Sequence, residues 1–112
     1  MKTGEKRHFS RIALKVPIRY QIRGTSEFNN AILDNIGLGG IGFIHHKFIT
    51  PQTFVEMEIN ILSRVLSPLG RITRAINLAH SDKYRLGIEF LELDPIEKNY
   101  LQDFIDMQMG KL

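Results

Sequence analysis

Two short stretches of this 112-residue chain carry side chains suited to holding a planar, anionic ligand. Arg7 and Arg11 stand four residues apart in Arg7-His8-Phe9-Ser10-Arg11, and some two dozen residues later comes Asn35-Ile36-Gly37-Leu38-Gly39-Gly40. A guanidinium presents a planar fork that pairs with guanine O6 and N7 or with phosphate oxygens, which a lysine ammonium does poorly. Asn35 adds an amide able to bond a base edge, and Gly37, Gly39 and Gly40 let backbone N–H groups approach a ligand closely. The chemistry is binding rather than bond-making, because no nucleophile with a partnered base can be read from the sequence.

Other readings of the same residues are weaker. The run from Gly37 to Gly42 satisfies G-x-G-x-x-G, but Ile41, Phe43, Ile44 and then Pro51 follow instead of a helix, so a dinucleotide turn of the βαβ kind is rejected. Glycines so clustered also make tight or bulged strand connections, and two arginines alone are commonly solvated surface residues. His8, His45, His46 and His80 lack spaced acids or cysteines that would complete a metal site, so no metal is expected. Glu56 and Glu58 alternate with apolar residues in the manner of a solvated strand face.

The elements that must position these residues are short and alternating. Leu14, Val16, Ile18, Tyr20 and Ile22 share one phase of a half-buried strand, in which Pro17 on the other phase predicts an edge or a bulge. After Gly24-Thr25-Ser26, strands are predicted over 28–36 and 41–48. A fourth carries Val55, Met57, Ile59 and Ile61, a fifth Ile72, Ile76 and Leu78, and a sixth Tyr84, Leu86, Ile88 and Phe90. The tail then changes period. Asp94 suits an N-cap, Pro95 the first helical position and Glu97 a capping box, while Ile96, Tyr100, Leu101, Phe104, Ile105 and Met107 recur at helical spacing before Gly110. The fold expected is mainly β, a small antiparallel barrel with one closing α-helix.

The length fits one domain, and 43% hydrophobic residues dispersed along the chain argue against disorder and membrane insertion. No apolar leader follows the first charged residues and there is no cysteine, so a cytoplasmic protein is expected. The net charge of +3 conceals an imbalance: residues 1–23 carry seven basic side chains and one acid, leaving the remainder at −3. A basic arm on a mildly acidic body points to an anionic partner met by the arm.

The two motifs together resemble the ligand-binding signature of the PilZ domain family, which binds the bacterial second messenger cyclic di-GMP. Arg7 and Arg11 match its R-x-x-x-R, and Asn35, Gly37 and Gly40 fall on its D/N-x-S-x-x-G, with Gly37 where the pattern has serine. The similarity also covers Val16-Pro17-Ile18-Arg19-Tyr20, Gly40-Ile41-Gly42-Phe43 and Tyr84-Arg85-Leu86-Gly87-Ile88-Glu89-Phe90. The resemblance implies a six-stranded antiparallel PilZ-like β-barrel spanning 14–112, with the C-terminal helix packed on it. It further implies a flexible arm, 1–13, that folds over the ligand. Arg7 and Arg11 would reach guanine and phosphate, and Asn35 a guanine. Gly37 and Gly40 complete the site, Lys6 and Asp34 are possible additions, and a basic residue such as Lys6 accompanies an intercalated ligand dimer in some members.

The function expected is that of a non-enzymatic cyclic di-GMP receptor that needs no further cofactor, whose arm closes over the nucleotide and alters contacts with a downstream protein. A homodimer is possible. The alternative is a degenerate PilZ-like adaptor of the pilus or motility kind with weak or no nucleotide binding, favoured by Gly37. Nonspecific binding of nucleic acid by the arm is disfavoured, since few aromatics interleave with its charges.

Overall fold

The computed structural model describes residues 10–110. Seven strands and one helix follow in the order β1 (Arg11–Ile22), β2 (Asn29–Gly37), β3 (Gly40–His45), β4 (Phe54–Ile61), β5 (Arg64–Leu66), β6 (Leu69–Asn77), β7 (Tyr84–Glu92) and α1 (Pro95–Gln108). All pairings are antiparallel. The order β1-β2-β3-β7-β6-β4 is closed by pairing of β4 with β1, so six strands make the barrel, as expected. The three residues of β5, which sequence alternation is too short to announce, are an extra hairpin strand on the end of β4.

Alternation drives the closure. Ile18 and Tyr20 of β1, Val55, Met57, Ile59 and Ile61 of β4, and Leu86 and Ile88 of β7 point into the core, where each buried aliphatic side chain contributes about 1.5–3 kcal/mol. β1 carries an irregularity between Ala13 and Val16, and Pro17, which has no N–H, stands between it and residues 18–22 that pair with β4. The strand starts at Arg11 instead of Leu14, so residues 11–13, assigned to the arm on sequence grounds, are paired with β2. Of the rest of the expected arm, Ser10 is described and precedes β1, and residues 1–9 lie outside the described residues.

Two bulges change the phase of a strand, and both matter below. In β2, Leu33 and Ile36 are both fully buried, so Asp34 and Asn35 between them share the outer face, with the ladder to β3 shifted between Leu33 and Asn35. In β6 the shift falls between Ile72 and Arg74. Ile72 is buried and Ala75 packs against the core, which puts Thr73 and Arg74 together on the outside. The single phase expected for Ile72, Ile76 and Leu78 is therefore broken, and Ile76 is 49% exposed.

The helix begins as its residues require, with the Asp94 side chain accepting from the Ile96 N–H and Pro95 in its first turn. Glu97 does not complete a capping box; its Oε1 accepts from the N–H of Ser67 at 3.1 Å and ties the helix to the β5–β6 turn. Leu101, Phe104 and Ile105 are buried, whereas Ile96 and Met107, expected in the same stripe, are exposed. The Tyr100 hydroxyl donates to the Ile61 carbonyl at 3.0 Å, anchoring α1 where β4 ends. No helix among the described residues is long and apolar enough to cross a membrane.

Candidate functional site

The two bulges face each other across a groove of about 320 Å³ on the outer wall of the barrel. Register explains its shape: Asn35 lies opposite Gly42, Gly42 opposite Gly87, and Gly87 opposite Arg74, so two neighbouring residues without side chains form a floor between polar walls. The Asn35 amide uses that space directly, since a Cβ on Gly42 would come within 2.6 Å of its Nδ2.

Arg11, at the first position of β1, overhangs one wall. Its Nη1 donates to Asn35 Oδ1, Asn35 Nδ2 donates to Asp34 Oδ1 at 2.7 Å, and Asp34 Oδ2 accepts from Arg85 Nη1 at 3.3 Å. Arg74 lines the groove from the β6 bulge. Three guanidinium groups thus meet one carboxylate around a polar depression. The Arg11 guanidinium is held below its ordinary pKa, first by burial, then by repulsion from Arg74, with Asp34 opposing. An arginine remains protonated nonetheless, so an incoming anion would relieve the repulsion between Arg11 and Arg74.

Of the residues expected in the site, Arg11, Asn35 and Asp34 are brought together by these hydrogen bonds. Gly37 and Gly40 pair with each other at the ends of β2 and β3, around the two-residue connection Leu38-Gly39. Neither lines the groove, and both permit close backbone approach. A Cβ on Gly40 would lie 2.0 Å from the Ile88 carbonyl oxygen, and one on Gly37 would lie 2.6 Å from that of Ser10. Arg7 and Lys6 lie outside the described residues. Arg74 and Arg85 were missed as site residues. Arg85 shares the outward phase of Gly87 in a stretch quoted for the resemblance, while Arg74 reaches the outer face only through a bulge that alternation hides.

A larger groove of about 710 Å³ exists elsewhere, whose charged lining residues are mainly carboxylates, and size alone would favour it. Chemistry favours the smaller one for an anion, because its cations outnumber its acids. Among the described residues no group of three or more His, Cys, Asp or Glu could hold a metal ion; His45 is buried and His46 exposed.

Among solved structures the chain is similar to the inhibitor of motility MotI of Bacillus subtilis, with 20% identity and a TM-score of 0.79, over 99% of this chain and 58% of that one. It is also similar to YcgR of Escherichia coli in complex with c-di-GMP, with 17% identity and a TM-score of 0.77, over 95% and 47% of the two chains. PlzA of Borreliella burgdorferi, also in complex with c-di-GMP, gives 14% identity and a TM-score of 0.59, over 96% and 55%. The chain thus spans about half the length of these proteins, and at such identities the likeness is one of fold. No curated protein sequence matches it. The PilZ domain model, however, matches residues 5–107, nearly the whole chain, and on that match together with the closed six-stranded barrel the chain belongs to the PilZ domain family.

Proposed function

We propose that this chain is a non-enzymatic receptor domain for cyclic di-GMP. The observation that carries the reading is the hydrogen bond of Arg11 to Asn35, which joins one residue from each half of the split motif at the rim of the glycine-floored groove. Arg74 and Arg85 add two further guanidinium groups for phosphates or guanine edges. That YcgR and PlzA carry c-di-GMP on a similar fold supports the choice of ligand. The carbonyl of Ser10 packs against Gly37, so β1 begins beside the end of β2. On this reading the N-terminal arm closes over the nucleotide, Arg7 adds the second motif arginine, and the ordered arm presents a new surface to a downstream protein or to a second copy of the chain. The lack of cysteine accords with action in the cytoplasm.

Titration with cyclic di-GMP by calorimetry tests this. Saturable heat that is lost in Arg7→Ala and Arg11→Ala is expected, and the stoichiometry separates one nucleotide from an intercalated pair. No heat at high micromolar ligand sinks the proposal and leaves the second reading, a PilZ-like adaptor without nucleotide affinity. Gly37 favours that reading, since a lost serine hydrogen bond to phosphate is worth about 1.5–3 kcal/mol, roughly ten- to a hundredfold in affinity.

A further inference from the structure

The larger groove, of about 710 Å³, opens between the end of β1, the start of β4, the β5–β6 turn and the linker from β7 into α1. Its charge is opposite to that of the arginine groove. Glu56, Glu58, Glu92 and Asp94 border it against Arg23 as the one lining cation. Arg23 pairs with Glu56 at 3.6 Å and Arg19 with Glu58 at 3.1 Å, whereas no ion pair among the described residues engages Glu92 or Asp94.

Between the carboxylates the walls are apolar. Phe28 is 47% and Leu91 39% exposed, with Leu69 and Leu93 half-buried beside them. The aromatic ring already accepts a cation from its own chain, since the Arg19 guanidinium lies 4.0 Å from the Phe28 centroid. This surface is chemically competent to stack further guanidinium groups.

We infer that this groove docks a basic segment of a protein partner, a stretch in which lysine or arginine side chains accompany apolar ones. Glu92 and Asp94, which no ion pair among the described residues engages, call for separated cations. A metal ion does not fit, because no three ligating groups converge among the described residues. A polyanion such as nucleic acid is repelled, and an apolar small molecule would leave the Glu92 carboxylate desolvated without a cation. A basic and apolar peptide satisfies both kinds of wall, and its dock lies away from Arg11, Arg74 and Arg85, so the two grooves can be occupied independently.

The test is a proton–nitrogen NMR titration of the nucleotide-free chain with a short peptide alternating lysine and leucine, and with one alternating glutamate and leucine. Saturable shifts at the amides of Leu69, Leu91, Glu92 and Leu93 are expected with the first peptide only. They should weaken by about tenfold or more in Glu92→Lys, an exposed charge reversal whose unchanged spectrum elsewhere confirms folding. Shifts scattered over the surface, centred on carboxylates outside this groove, or unaltered in Glu92→Lys overturn the inference. A spin label on Thr3→Cys identifies the remaining competitor: broadening of Leu91 and Leu93 before any peptide is added would make the chain's own basic arm the occupant and overturn the assignment to a partner.

Discussion

Arg11 Nη1 lies 2.5 Å from Asn35 Oδ1, joining residues 24 apart in sequence into one binding element. Groups so joined do not act additively. Arg11→Ala and Asn35→Ala are each expected to weaken cyclic di-GMP binding by about ten- to a hundredfold, and the double variant by less than the product of the two. Arg11→Lys should recover little, since an ammonium lacks the planar fork. Calorimetry on the four variants checks this, and a fully additive double variant would show that the two residues act separately.

Arg74 owes its place to the β6 bulge and its importance to the field it exerts on Arg11. Arg74→Ala should cost about tenfold in affinity and flatten the dependence of binding on salt concentration. Equal affinities for wild type and Arg74→Ala between low and physiological salt would remove it from the site.

At Gly37 the steric and the hydrogen-bonding consequences of a side chain can be separated. A Cβ there meets the Ser10 carbonyl oxygen at 2.6 Å, so both Gly37→Ala and Gly37→Ser must displace the start of β1. Only the serine can add a hydrogen bond to phosphate. Gly37→Ser is therefore expected to bind about ten- to a hundredfold more tightly than Gly37→Ala, whatever either does relative to wild type. Equal affinities for the two would mean that the missing hydroxyl is not what limits this site.

His45 sits in the core wall beside Tyr20 and Phe43, with Nε2 3.3 Å from the Asn30 carbonyl. Burial is the main cause that lowers its pKa below 6.5, with His46 and Lys47 adding repulsion and the Asn30 bond opposing. The folded state thus takes up its proton less readily than the unfolded chain. Stability should be full above about pH 6.5 and fall as the pH drops from there through the folded-state pKa. Urea midpoints measured from pH 7.5 down to 5 should show that decline, reduced in His45→Gln; an identical slope in both would assign it to other groups.

Alternation and helical spacing are enough to place six barrel strands, the closing helix and its Asp94 cap, because side-chain period and capping are local properties. Asn35 and Arg11 could be named from type and spacing. Arg74 could not, since a bulge is a property of two paired strands and leaves no mark in one of them. The same limit hid the role of Gly40, whose neighbour is the Ile88 backbone of a strand nearly fifty residues away. Glu97 was misplaced for the opposite reason. A local partner was on offer, and the β5–β6 turn, folded over from elsewhere, won it.

Gly87, in the middle of the groove floor, differs from the other glycines of the site. A Cβ there would make only ordinary contacts, 3.5 Å from Arg74 Cβ and 3.6 Å from Thr73 Oγ1. The strand tolerates a side chain at this point while the depression does not, which makes the position a plug hole. Gly87→Val is expected to melt within a few degrees of wild type yet to give no heat with cyclic di-GMP; a variant that still binds would relocate the ligand. Held permanently empty but intact, such a chain would separate in living cells what this domain does by being present from what it does by being filled.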